Sequence, residues 1–94
     1  MGLLDHEDIE EALEQLDGWA RDGDEISRTF RCDDFLQAIA FINRIAQLAD
    51  DANHHPELRN IYDTVEVRLT THDAGGVTEQ DVDMARSIQV TYDE

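Results

Sequence analysis

Three of the four histidines stand where a proton could be handled. His54 and His55 are adjacent and precede Pro56, and His72 closes a run that alternates apolar and polar residues up to Leu69. Histidine is suited to such work because its ordinary pKa, about 6.5, lies close to neutral pH, so one ring can give and take a proton within a turnover. Pro56 biases His55 toward extended geometry, in which successive side chains point to opposite sides, so the two adjacent rings must diverge. One then faces a pocket directly and the other approaches it from the side. With Asp51, Asp73 or Asp81 as a fourth ligand the three histidines could be set around zinc, but adjacent ring positions make poor joint ligands, and no metal is expected. The plain alternative leaves them as exposed loop histidines. His6, among acids, is read as a surface residue.

Two other features carry less. Asp73-Ala74-Gly75-Gly76 has the glycine content of a phosphate loop before a helix start, yet there is no Walker lysine and no dinucleotide spacing. The glycines are better read as the turn from a strand into a helix. Cys32, the only cysteine, lies between Arg31 and the acids Asp33 and Asp34; it is read as a small semi-buried residue, not a nucleophile, in a reducing compartment.

The elements that position these residues follow from periodicity. In HEDIEEALEQLDGW, Ile9, Ala12, Leu13 and Leu16 form one apolar stripe, which predicts a helix from about Asp5 to Leu16 with Gly18 as its stop. WARDGDEISRTFR reads as two short strands about an Asp22-Gly23 turn, with Trp19 on the first strand. DDFLQAIAFINRIAQLADDA predicts the long helix and main core donor, with Phe35, Ile39, Ile42, Ala46 and Ala49 as its inward stripe and Leu36 and Ile45 widening it. Val65, Val67 and Leu69 alternate with Glu66 and Arg68, predicting a strand paired with Leu58–Tyr62 through a turn near Asp63. Thr78-Glu79-Gln80-Asp81 is an acidic variant of the capping box, so a third helix starts at Thr78 and carries Val82, Ala85 and Ile88 inward. Residues 1–94 are read as one α+β domain in the order helix, hairpin, helix, hairpin, helix. Each helix has a single apolar stripe to bury, which favours a four-stranded, largely antiparallel sheet with the helices packed on one face.

The string HHPELRNIYDTVEVRLTTHDAGGVTEQDVDMA resembles the signature region of the pterin-4a-carbinolamine dehydratases, in which His-His-Pro, Asn-x-Tyr, Thr-His and Gly-Leu/Val-Ser/Thr-x-x-Asp recur in this order. The Gly18-Trp19 pair also matches, so the resemblance spans nearly the whole chain. It implies an enzyme that eliminates water from a 4a-hydroxytetrahydropterin to give the quinonoid dihydropterin, with neither a metal nor a redox cofactor. It further implies that His54 and His72 are the general acids and bases, that His55 binds the ring, and that Trp19 walls the pocket. Asp50, Asn53 and Asp81 would be nearby polar contacts. Leu58 stands where the family usually has a bulky aromatic, a departure that bears on substrate affinity. Some members also bind a homeodomain transcription factor, a role for which this sequence offers no support. Two alternatives remain: a non-catalytic protein-interaction or regulatory module on the same scaffold, and a dehydratase-like enzyme acting on another pterin, such as an intermediate of molybdenum cofactor metabolism.

Charge and length bound the setting. At 94 residues the core is near the small end of self-sufficiency, so a homodimer or homotetramer is expected. The N-terminus has neither a basic region nor an apolar run, and no stretch approaches the roughly 20 apolar residues of a membrane span, so a soluble cytoplasmic protein is expected, without membrane contact. Against 23 acids there are 7 basic residues, all arginine, for a formal net charge of -16. Direct binding to nucleic acid phosphates is thereby disfavoured. Such a surface repels itself in dilute buffer, whereas at 1 M salt the screening length falls to about 3 Å. The composition therefore points to a salty cytoplasm. Melting temperature measured across a potassium chloride series is expected to rise with salt; a maximum at low salt would contradict the reading.

Overall fold

A computed structural model describes residues 2–94. The order of elements is α1 (His6–Glu14), β1 (Ala20–Asp22), β2 (Glu25–Arg31), α2 (Phe35–Ala52), β3 (Glu57–Ile61), β4 (Thr64–Leu69), a short 3-10 turn (His72–Ala74) and α3 (Glu79–Asp93). The four strands form one sheet in the order β1-β2-β4-β3, and every neighbouring pair is antiparallel. This is the expected α+β arrangement, with the sheet antiparallel throughout.

The register explains why all three helices share one face. Ile26 pairs with Leu69 and Phe30 with Val65, so apolar residues of the two central strands point to the same side. Val67 lies between them, and these five side chains are buried together with Ile9 and Leu16 near α1, Phe41 and Ile45 of α2, and Val82, Ala85 and Ile88 of α3. The opposite face is polar and is knit by Arg68, which donates to Asp22 at 3.0 Å and to Glu66 at 3.4 Å. These hydrogen bonds to the Asp22 and Glu66 carboxylates raise the pKa of Arg68 above its ordinary value.

Local chemistry sets the element ends, and several differ from expectation. The Asp5 carboxylate accepts from the Asp8 N–H and starts α1. That helix ends at Glu14, short of Leu16, because the Gln15 and Leu16 amides bond to the carbonyls of Ala12 and Leu13, three residues back. This tightening draws Leu16 and Trp19 into the core. Trp19 precedes β1 instead of lying on it. Asp22 pairs with Glu25, so the first hairpin loop is Gly23-Asp24, one residue later than expected.

The face of α2 is also corrected. Asp34 caps it through the Gln37 N–H, but the buried residues are Ala38, Phe41, Ile45 and Ala49. Of the expected stripe only Ala49 is buried, together with Ile45 that was expected to widen it; Phe35, Leu36 and Ala46 are exposed, and Ile39 and Ile42 half-buried. Apolar residues run most of the way round this helix, and only one side can face the sheet. Phe41 decides which, because its ring packs edge-on against Phe30, centroids 5.0 Å apart.

Arg28 occupies an inward position between Ile26 and Phe30. Its guanidinium stacks over Phe30 at 4.3 Å and Tyr92 at 5.3 Å, and donates to the Asp17 carbonyl and to the Gln89 side chain. Gly18, with φ of +84°, lies under it, and a β-carbon there would sit 2.8 Å from Arg28 Nε. Gly18→Ala is therefore expected to lower stability by at least about 1–2 kcal/mol from the left-handed backbone alone. Urea unfolding reads this directly, and an unchanged midpoint would show that neither the backbone nor the Arg28 contact constrains the site.

Candidate active site

The ends of three elements converge on one corner. The first is the C-terminus of α2, where Asn53 adopts the left-handed conformation at φ of 49°, one that asparagine tolerates. The Asn53 amide bonds to the Asp50 carbonyl and the His54 amide to the Ala49 carbonyl, the paired bonds of a Schellman motif. His54 is thus held at a defined place just beyond the helix, and Pro56 prevents the helix from continuing.

The second is the end of β4. The Thr71 carbonyl accepts from the amides of Ala74 and Gly75, both at 3.0 Å, and the Thr71 amide donates to the Gly76 carbonyl at 2.9 Å. This closes a 3-10 turn carrying His72, and Gly75, with φ of +81°, lets the chain leave it. The third is the start of α3. Here Thr78 and Asp81 form the expected capping box: the Thr78 amide donates to Asp81 Oδ2 at 2.9 Å and the Gln80 amide to Thr78 Oγ1 at 3.3 Å.

Asp81 does more than cap. Its side chain is fully buried and meets Thr71 Oγ1 at 2.8 Å through one oxygen and His54 Nε2 at 2.5 Å through the other. The His54 side chain is only 10% exposed. His55 turns the other way, 62% exposed, with Nε2 3.9 Å from the Asp50 carboxylate on α2. The adjacent rings diverge, as the proline requires. His72 lies exposed on its turn.

Asn53, His54, His55, Thr70, Thr71, His72, Asp73 and Gln80 together line a depression of about 420 Å³. A second groove, about 480 Å³, runs along the exposed side of His55 and is lined also by Asp50, Pro56 and Leu58. Among the described residues no three of the histidines, acids and cysteine gather closely enough to hold a metal ion. The corner offers imidazoles in two settings, one locked to a buried carboxylate and one free, around an open polar concavity.

The model of the family described as pterin 4 alpha carbinolamine dehydratase matches residues 2–91. The chain belongs to the pterin-4a-carbinolamine dehydratase family. Proteins assigned by name to that family include one from Rhodopseudomonas palustris, 54% identical over 90% of this chain and 86% of its own. Another, from Halobacterium salinarum, is 48% identical over 88% and 89%. The crystal structure of a transcriptional coactivator/pterin dehydratase from Brucella melitensis superposes with a TM-score of 0.91 at 40% identity, covering 95% of this chain and 97% of that one. Like the family to which it belongs, the chain is a hydro-lyase.

Of the residues that the dehydratase resemblance implicates, the structure brings His54, His55, His72 and Asn53 to one depression and Asp50 to its flank. Asp81 lies behind His54, with no surface of its own exposed. Trp19 stands elsewhere. Its ring is buried edge-on against Phe30, its indole N–H donates to Gln89, and it does not line the depression. Thr71 and Gln80 were missed. The alternation that puts Val67 and Leu69 inward continues to Thr71, a signal the sequence did carry. Burial pushes the pKa of the Cys32 thiol up, and Arg44 only partly offsets this, so its thiolate is disfavoured.

Proposed function

We infer that the depression between the ends of α2 and β4 binds a 4a-hydroxytetrahydropterin, and that His54 and His72 perform the proton transfers of its dehydration. Elimination requires a proton on the departing 4a-oxygen. As the C4a–O bond breaks, the lone pair on N5 forms the C4a=N5 bond and the N5 proton leaves to a base. Water and the quinonoid dihydropterin are the products, and the acid that gave a proton is restored by the base that took one. Two imidazoles on separate mounts suit this exchange, since each can serve either role near neutral pH. The observation that carries the reading is the convergence of His54 and His72, from different element ends, on a single concavity.

His55 and Asn53 are placed to contact the pterin ring, with Asp50 beside His55. Asp81 acts through His54. Leu58, half-buried in the flanking groove, leaves more room there than an aromatic ring would. No helix of the described residues is long and apolar enough to cross a membrane, and we place the enzyme in a salty cytoplasm. His54→Ala and His72→Ala are each expected to lower turnover of a 4a-hydroxytetrahydropterin by about 10²–10⁴-fold, with unchanged circular dichroism, in an assay at molar salt. Full activity in both variants would refute the roles assigned.

We also infer a homo-oligomer built on α2. Between Phe35 and Ala49 there is not one acidic residue, in a chain carrying 23, and the side turned from the core exposes Phe35 and Leu36. On so acidic a molecule this is the face where two copies can meet with little repulsion and much apolar area to bury. Light scattering is expected to give a dimer or tetramer, and Leu36→Asp to shift it toward monomer. A wild-type monomer at assay concentration would rule the assembly out.

A further inference from the structure

The mounts of the two histidines meet at Thr71. Its backbone anchors the turn that carries His72, and its side chain, in a residue only 8% exposed, reaches the carboxylate that holds His54. The direction of every hydrogen bond in this network follows from the donors available. The Gln80 amide donates to Thr78 Oγ1, which leaves the Thr78 hydroxyl proton free for Thr71 Oγ1, 2.8 Å away. The Thr71 hydroxyl then donates to Asp81 Oδ2, which also accepts from the Thr78 amide. Oδ2 is thereby supplied with two donors, and Oδ1 is left to a single partner, His54 Nε2. No buried side-chain polar atom among the described residues is left without a partner.

We propose that Thr71 is a positioning residue for the dehydration: by donating its hydroxyl to Asp81 Oδ2 it keeps Asp81 Oδ1 facing His54, so that neutral His54 carries its proton on Nε2 and works on substrate through Nδ1. A carboxylate free to rotate, or short of a donor, could turn Oδ1 away and release the ring to either tautomer. The cost of that freedom falls on catalysis, because a ring that presents Nδ1 only part of the time is in register with the substrate only part of the time. The kinetic consequence rests on the dehydratase reading, whereas the tautomer does not.

The experiment therefore reads both. In ¹⁵N-labelled protein without substrate, long-range ¹H–¹⁵N spectra at a pH where His54 is neutral are expected to show it as the Nε2–H tautomer. Thr71→Val keeps the β-branched shape and removes the donor. It should draw the two His54 nitrogen shifts toward each other and lower kcat by on the order of tenfold with KM unchanged, while Thr71→Ser restores both. Thr71→Ala serves if valine does not fold. In a His54→Ala background the valine change should cost no further turnover. An Nδ1–H tautomer in the wild type, His54 shifts indifferent to Thr71→Val, or an undiminished loss in the His54→Ala background would each overturn the proposal. A protein that lacks dehydratase activity but shows the expected tautomer, sensitive to Thr71→Val, would refute the catalytic role and leave the Thr71–Asp81–His54 tautomer assignment standing.

Discussion

A single buried carboxylate organises the candidate active site. Burying Asp81 without partners would cost several kcal/mol, so the fold must deliver donors to both of its oxygens. It does so from three places in the chain: the backbone at the start of α3, the hydroxyl at the end of β4, and the imidazole beyond the end of α2. The requirement to satisfy one side chain thus becomes a requirement that three element ends meet. The depression lies where they meet, and His54 is placed there with the accuracy of a packed core, while His55 and His72 stand exposed at its rim.

The rest of the architecture supplies this corner with rigid supports. The antiparallel register of β2 and β4 fixes where β4 ends, and the core behind Val65, Val67 and Leu69 keeps it there. The Schellman motif ends α2 at a defined residue, so that a helix buried against Phe30 by Phe41 delivers His54 to Asp81. On the same inward face, Arg28 of β2 reaches the Asp17 carbonyl beyond α1 and Gln89 of α3, and Gly18 leaves room for it. The aromatic ring of Trp19 is spent there, on packing, which is why it does not line the depression in this chain.

Charge is distributed with equal consequence. Acids are found on every other element and in the loops, and Asp50 and Asp51 close α2, while α2 between Phe35 and Ala49 has none. Such a separation leaves one surface apolar on an otherwise acidic molecule, and α2 thus has two apolar sides, one buried against the sheet and one exposed. Periodicity alone could not tell them apart. Read from the sequence, the stripe through Phe35, Ile39, Ile42, Ala46 and Ala49 was as good a core face as the one through Ala38, Phe41, Ile45 and Ala49 that is buried.

Much of the fold and of the site was legible without coordinates, for local reasons. Strand alternation at Val65, Val67 and Leu69, the capping box at Thr78 and Asp81, and the order of elements depend on neighbours within a few residues, and each stands as read. The divergence of His54 and His55 follows from Pro56 in the same way. By itself the sequence thus determined the elements, their order and the candidate histidines. Which side of α2 faces the sheet, the withdrawal of Trp19 into the core, the role of Asp81 behind His54 and the place of Thr71 between two histidines were decided only by tertiary structure. Each depends on contacts between residues distant along the chain, and on the competition of several apolar or polar groups for one buried space, which only the assembled core resolves.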